Sequence, residues 1–136
     1  MASLDPGYDL VIGTYTAIWP RYERAGLSGL TRPECAVFLA WQFVCEVNNG
    51  GFRQFLSNPS GAYAAETPAV LKEVSMPHAD SLLMRALAAG GPPWSSCSEA
   101  LDALSDEFFG SSENPYELLA SYVRRNSHEL PAPVCV

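Results

Sequence analysis

CEVNNGGFRQFLSNPSG, residues 45–61, places two asparagines, two glycines and two phenylalanines between Asn48 and Phe55. Three readings compete for this stretch: an active-site loop, a phosphate cradle, or the corner where one helix passes to the next. A P-loop needs GxxxxGK followed by Ser or Thr after a strand, and a dinucleotide loop needs GxGxxG inside a βαβ unit. Neither context surrounds Gly50 and Gly51. The corner reading has a direct physical basis. Asn48 or Asn49 and the glycines accept the left-handed backbone that ends a helix, because glycine has no Cβ penalty at positive φ. Phe52 and Phe55, three apart, then share a face and anchor the next short helix in the core. Arg53 and Gln54 lie between these anchors, placed to bond the exposed carbonyls at the helix end.

Working outward, the punctuation on both sides is that of helices. Upstream, TRPE sets Thr31 and Glu34 as a capping box ahead of CAVFLAWQFVCEV, a helix apolar on nearly every face. Only Glu34, Gln42 and Glu46 break its apolar surface, so it belongs at the centre of the fold or against a partner subunit, with the centre preferred. Before it, Asp5-Pro6 starts an amphipathic helix carrying Tyr8, Val11, Ile12, Tyr15, Ile18 and Trp19, ending near Pro20 or Gly26.

Downstream, SNPSG reads as a turn. Thr67-Pro68 and Ser75-Pro77 are expected to cap two short helices, and Gly90-Gly91-Pro92-Pro93 is a firm stop. Ser96 and Glu99 have capping-box spacing before ALDALSDEFFG, which Gly110 closes. The last helix opens on Asn114-Pro115 and ends on Arg124 and Arg125, where the bases oppose the helix dipole favourably. No pair of strands is expected. The prediction is an all-α fold, a single compact domain over residues 1–136 with about six or seven helices.

Apolar residues make up 48% of the chain and charged residues 17%, a balance that supports a packed core and opposes disorder. No apolar run is long enough for a membrane span, and the opening MASLDPGYDL lacks the order of a signal peptide. A cytoplasmic protein without membrane contact is therefore expected. Cys35, Cys45, Cys97 and Cys135 form no CxxC, and only His78 and His128 are available to join them, so reduced and mostly buried thiols are preferred to a metal site. No metal or cofactor is expected. The histidines have no Ser or Cys motif around them, and nothing compels an enzyme. A weaker alternative is an enzyme or small-ligand site among Glu46, Asn48, Asn49, Arg53 and Gln54.

The net charge of -7 is unevenly spread. Residues 1–85 hold eight acids and six bases, whereas residues 86–123 hold six acids and no base. Such a block repels nucleic acid and attracts basic partners. Direct nucleic-acid binding is also opposed by the shortage of bases, Lys72 being the single lysine. At 100° per residue Glu99, Asp102 and Asp106 fall within about 60° of one another, while Leu101, Leu104 and Phe108 take the other side. Glu107 flanks the acidic face, and Glu113 and Glu117 continue it into the next loop and helix. Carboxylates at i, i+3 and i+4 stand about 5 to 6 Å apart, a spacing that roughly imitates a row of phosphates.

VNNGGFRQFLSNPSG, then AVLKEVSMPHADSLLMRAL, LDALSDEFF and LLASYVRRN, resemble the DNA-mimic protein nineteen-like domain family, small acidic bacterial proteins carrying a domain of unknown function. The likeness runs from about residue 34 to 126, and its strongest element is the Asn-Gly-Gly-Phe-x-Gln-Phe core from Asn49 to Phe55, part of a structural motif of Asn48, Asn49, Gly50, Gly51, Phe52, Gln54 and Phe55. The resemblance implies an all-helical fold, a homodimer and, for the founding member, a DNA mimic that covers the DNA-binding face of a helix-turn-helix transcription regulator. Carried onto this chain, the partner-binding candidates are Asp102, Asp106 and Glu107, with Glu99, Glu113 and Glu117 as neighbours. The expected function is a non-enzymatic acidic interaction protein whose partner is a basic DNA-binding protein. The alternative is an immunity or antitoxin-like protein that neutralises a basic toxin.

Overall fold

The computed structural model describes residues 5–135. Among these residues the chain is all-α: α1 Pro6–Ala25, α2 Arg32–Ser57, α3 Thr67–Glu73, α4 Pro77–Ala88, α5 Ser98–Phe109 and α6 Pro115–Arg125, with short 3-10 turns between several of them. None of these helices is long and apolar enough to cross a membrane. The described residues group into two compact units, one holding residues up to 41 together with those from 114 onward, the other residues 42–113.

In the first unit, α1 starts as its sequence predicts. The Asp5 carboxylate accepts from the Gly7 and Tyr8 N–H groups at 3.0 and 3.1 Å, satisfying two of the donors that a helix start leaves free. The helix runs through Pro20 and stops at Gly26, whose φ is +70°. The Thr31–Glu34 box also forms: the Thr31 N–H donates to Glu34 at 2.9 Å and the Glu34 N–H to the Thr31 hydroxyl at 3.3 Å. Glu34 is 2% exposed, and Arg21 Nη1 donates to both of its oxygens at 2.7 and 2.9 Å, so the buried carboxylate keeps a charged partner. Aromatic rings fill the space between the helices. Tyr15 and Tyr22 of α1 lie on Phe38 of α2, and Tyr8 meets both Trp41 and Tyr116 edge-on.

α2 is buried on most sides within the single chain, from Ala36 through Trp41 and again at Phe43, Val44 and Val47. The central placement is the one its apolar surface favoured. The thiols depart from expectation. None forms a disulfide among the described residues, and Cys45 and Cys135 are exposed while Cys35 and Cys97 are half-buried. Cys45 falls about 150° around α2 from the side carrying Phe43, Val44 and Val47. Cys45 keeps surface in solvent, yet burial of the thiol first, and the Glu46 carboxylate next, push it up to about 11.

In the second unit, three expected caps are replaced. Thr67 is buried and its hydroxyl donates back to the Tyr63 carbonyl at 2.7 Å, so it opens α3 without capping it. Ser75 takes the left-handed conformation at φ +66° and ends α3. The Met76 N–H reaches the Leu71 carbonyl at 2.8 Å across it, the hydrogen bond of a Schellman ending. The N-terminus of α4 is capped from a distance, by Glu113: its two oxygens accept from the His78 and Ala79 N–H groups, each at 3.0 Å. The Ser96–Glu99 box does not form. Ser96 belongs to the 3-10 turn Trp94–Cys97 and its hydroxyl donates to the Pro93 carbonyl at 2.9 Å. Asn114 does cap α6, accepting from the Tyr116 and Glu117 N–H groups at 3.1 and 3.3 Å.

Candidate functional site: a groove between the glycine kink and α5

The opening motif is a kink inside α2. Gly50 sits at φ -150°, ψ 17° and Gly51 at φ 75°, ψ -173°, a pair of angles that breaks the helical hydrogen bonding before the chain winds up again. The Gly51 conformation is one that only glycine adopts readily. Its position is doubly restricted, because a Cβ there would lie 2.6 Å from Ser105 Oγ of α5. Ser105 is 6% exposed and holds the joint together. Its hydroxyl accepts from the Phe52 N–H at 2.9 Å, a donor that the kink has freed, and donates to the Leu101 carbonyl at 3.0 Å. Phe52 and Phe55 are buried, as their spacing predicts, and both rings meet Phe43, which also meets Phe108 edge-on at 5.8 Å.

The polar residues of the motif have partners other than helix-end carbonyls. Gln54 Nε2 donates to Glu46 at 2.7 Å, Asn58 Nδ2 donates to the same Glu46 oxygen at 3.0 Å, and Asn49 Nδ2 donates to Gln54 Oε1 at 3.0 Å. This chain of amides ties the two sides of the kink through side chains. Arg53 leaves it altogether and pairs with Asp102 of α5 at 3.2 Å. Of the residues suggested as a ligand site, Glu46, Asn49 and Gln54 join the amide chain, Arg53 pairs with α5, and Asn48 and Asn49 also line the groove beside it.

An open groove of about 450 Å³ lies between residues 48–51 of the kink and Asp102, Ser105, Asp106 and Phe109 of α5. Of the Phe108–Phe109 pair one ring turns into the core and the other is left 53% exposed beside the groove. The groove offers carboxylates, side-chain amides and one aromatic ring, a set of hydrogen-bond acceptors and a π surface suited to a cationic group.

The six acidic candidates have different surroundings. Asp102 and Asp106 line the groove, the former already paired with Arg53. Glu107 is paired with Arg85 of α4 at 3.0 Å. Glu113 is the cap of α4. Glu99, in the first turn of α5, and Asp106 make no ion pair among the described residues. Glu117 lies in the first turn of α6, in the other unit. No group of three or more His, Cys, Asp or Glu among the described residues is arranged to hold a metal.

The model of the DMP19-like protein family matches residues 28–126, most of the chain and the whole of the groove. The chain belongs to the DMP19-like protein family. The match begins a few residues ahead of the TRPE capping box, so for this DMP19-like protein the shared region takes in all of α2 to α6. Neither the curated proteins nor the solved structures give a match.

Sequence reasoning missed Ser105, Phe109 and Arg85 as members or neighbours of this site, and it named Arg53 without its partner Asp102. Ser105 carried a faint signal, as a small polar residue on the same helical side as Leu101, Leu104 and Phe108. The FF pair carried another, since adjacent residues on a helix do not face the same way. The pairing of the two arginines with α5 is a tertiary fact with no local trace.

Proposed function

We propose that this DMP19-like protein is a non-enzymatic interaction protein that presents α5 and its groove to a basic DNA-binding protein, in the manner of a DNA mimic. The observation that carries this reading is the pair of carboxylates Glu99 and Asp106, which have no ion-pair partner among the described residues, on a helix whose exposed side also carries Asp102, Glu107 and the Phe109 ring. Residue Asp106 lines an open groove, where an incoming basic side chain has room to reach it. Arg53 and Arg85 reduce the charge that α5 offers, so recognition rests on fewer carboxylates than the sequence block suggests.

Contact of this kind is steered by long-range attraction and weakens as salt shortens the range of the field. The test is recovery of partners from extracts of the native host on immobilised protein at low salt, followed by competition with duplex DNA. A recovered basic protein that duplex DNA displaces supports the mimic reading. A recovered basic protein that ignores DNA and is a toxin moves the same surface to the immunity reading. Recovery of no basic protein removes the basis for both.

A further inference from the structure

The unit that holds α1 and α6 has a pocket of its own, of about 400 Å³. Its walls are mostly apolar, formed by Leu10 of α1, Val123 of α6 and residues 130–133 of the segment that follows α6. Three residues with polar side chains line it, Thr14, Arg124 and Ser127. Thr14 is fully buried and gives its hydroxyl hydrogen to the Leu10 carbonyl at 2.8 Å, which leaves its oxygen as an acceptor. Arg124 also lines the pocket and has no ion pair or hydrogen bond from its side chain among the described residues, whereas its neighbour Arg125 lies over the Tyr122 ring.

The segment wall is fixed in place against α1. The Val134 N–H donates to the Gly13 carbonyl at 3.0 Å. A Cβ on Gly13 would stand 2.5 Å from the Val134 carbonyl oxygen and 3.1 Å from Pro133 Cβ, so the segment lies this close because residue 13 has no side chain. Pro131 and Pro133 stiffen the wall and bring no N–H that would need a partner beside an apolar surface. Such a preformed wall reduces the ordering a ligand must impose on binding.

We propose that this pocket binds a small amphipathic anion, specifically a medium-chain alkyl carboxylate, with its chain between Leu10, Val123 and residues 130–133 and its carboxylate on Arg124. A bare anion would leave the apolar walls unused, and a neutral alkyl ligand would make no use of the guanidinium, which is exposed at the pocket. A planar carboxylate matches the paired N–H groups of arginine. The negative end of the α6 dipole weakly opposes an anion at this position, so Arg124 is what makes a carboxylate welcome. The volume lies within the usual range of small-molecule sites and fits an alkyl chain of about six to ten carbons.

The experiment is titration of the full chain with octanoate, octanol and acetate, followed by amide chemical shifts at Thr14, Val123 and Ser127. Saturable shifts at these residues with octanoate, about tenfold or more weaker with octanol and absent with acetate, are expected from the worth of a charged hydrogen bond. Arg124→Gln should lose that octanoate advantage while octanol binding stays unchanged, which a general loss of fold would not produce. Gly13→Val should displace the segment and abolish binding of both alkyl ligands, with helical circular dichroism retained. Octanoate binding that never saturates, shifts that map elsewhere, or equal affinity in Arg124→Gln would each overturn the proposal.

Discussion

Replacing Gly51 by alanine tests the joint on which the whole α2–α5 corner depends. Two costs are distinguishable. The first is backbone strain: at φ 75°, ψ -173° an L residue is held in a region occupied essentially by glycine, at about 1 to 3 kcal/mol. The second is steric. The new Cβ would stand 2.6 Å from Ser105 Oγ and 3.3 Å from Ser105 Cβ, so the hydroxyl must move away from a site where it accepts from the buried Phe52 N–H. An orphaned buried donor costs about 1 to 3 kcal/mol more. Together these give roughly 2 to 6 kcal/mol, a large part of the 5 to 15 kcal/mol that typical domains possess. Urea unfolding followed by circular dichroism measures the loss. Ser105→Ala alone should cost about 1 to 3 kcal/mol, and the double variant should fall short of the sum, because both single changes break the same Ser105 contact. A Gly51→Ala protein within about 0.5 kcal/mol of the parent, the range of an inconsequential surface change, would show that neither the strain nor the Ser105 contact matters, and full additivity would show that the two changes do not share that contact.

Three further outcomes are expected. Ser75→Gly should stabilise the chain by about 0.5 to 1 kcal/mol in the same urea assay, since Ser75 is held at φ +66° where glycine carries no Cβ penalty. Glu113→Ala should cost about 1 to 2 kcal/mol by uncapping α4, from which it accepts two N–H groups, and protease cleavage should then increase around residues 77–80. Cys45, pushed up from 9.0 to about 11, stays a thiol at neutral pH and should alkylate slowly at pH 8, accelerating only as pH nears 11. The linkage has a fixed sign: the unfolded thiol loses its proton first, so this group's contribution is complete below pH 9 and declines as pH rises toward 11, a decline that Cys45→Ala should abolish in pH-dependent urea midpoints.

The helical class and the corner were legible in the sequence because both depend on local rules. Asp5, Thr31 with Glu34, and Asn114 cap the helices they precede, and a cap needs only the residues next to it. The glycine pair announced a positive φ, and the Phe52–Phe55 spacing announced a buried face. The rest required distant residues. Thr67 and Ser75 stand at plausible cap positions, yet Glu113, more than thirty residues from α4's start, takes the N–H groups there. The spacing of Glu99, Asp102 and Asp106 correctly gave a shared side of α5, but local spacing contains nothing about Arg53 or Arg85 arriving to pair with Asp102 and Glu107. The acidic block was therefore visible as composition, while the charge it leaves available was visible only in three dimensions.

In the proposed function, Glu99 and Asp106 of α5, which have no ion-pair partner among the described residues, dock a basic DNA-binding protein. The most direct measurement of this docking is the affinity of the recovered partner for the parent protein and for the variant carrying Glu99→Gln with Asp106→Asn, at low and raised salt and with duplex DNA as competitor. The account predicts a loss of about 2- to 30-fold from the two exposed charges together, weaker binding of the parent at raised salt, and mutual exclusion of DNA and protein on the partner. Unchanged affinity in the double variant, or a stable ternary complex with duplex DNA, would contradict it.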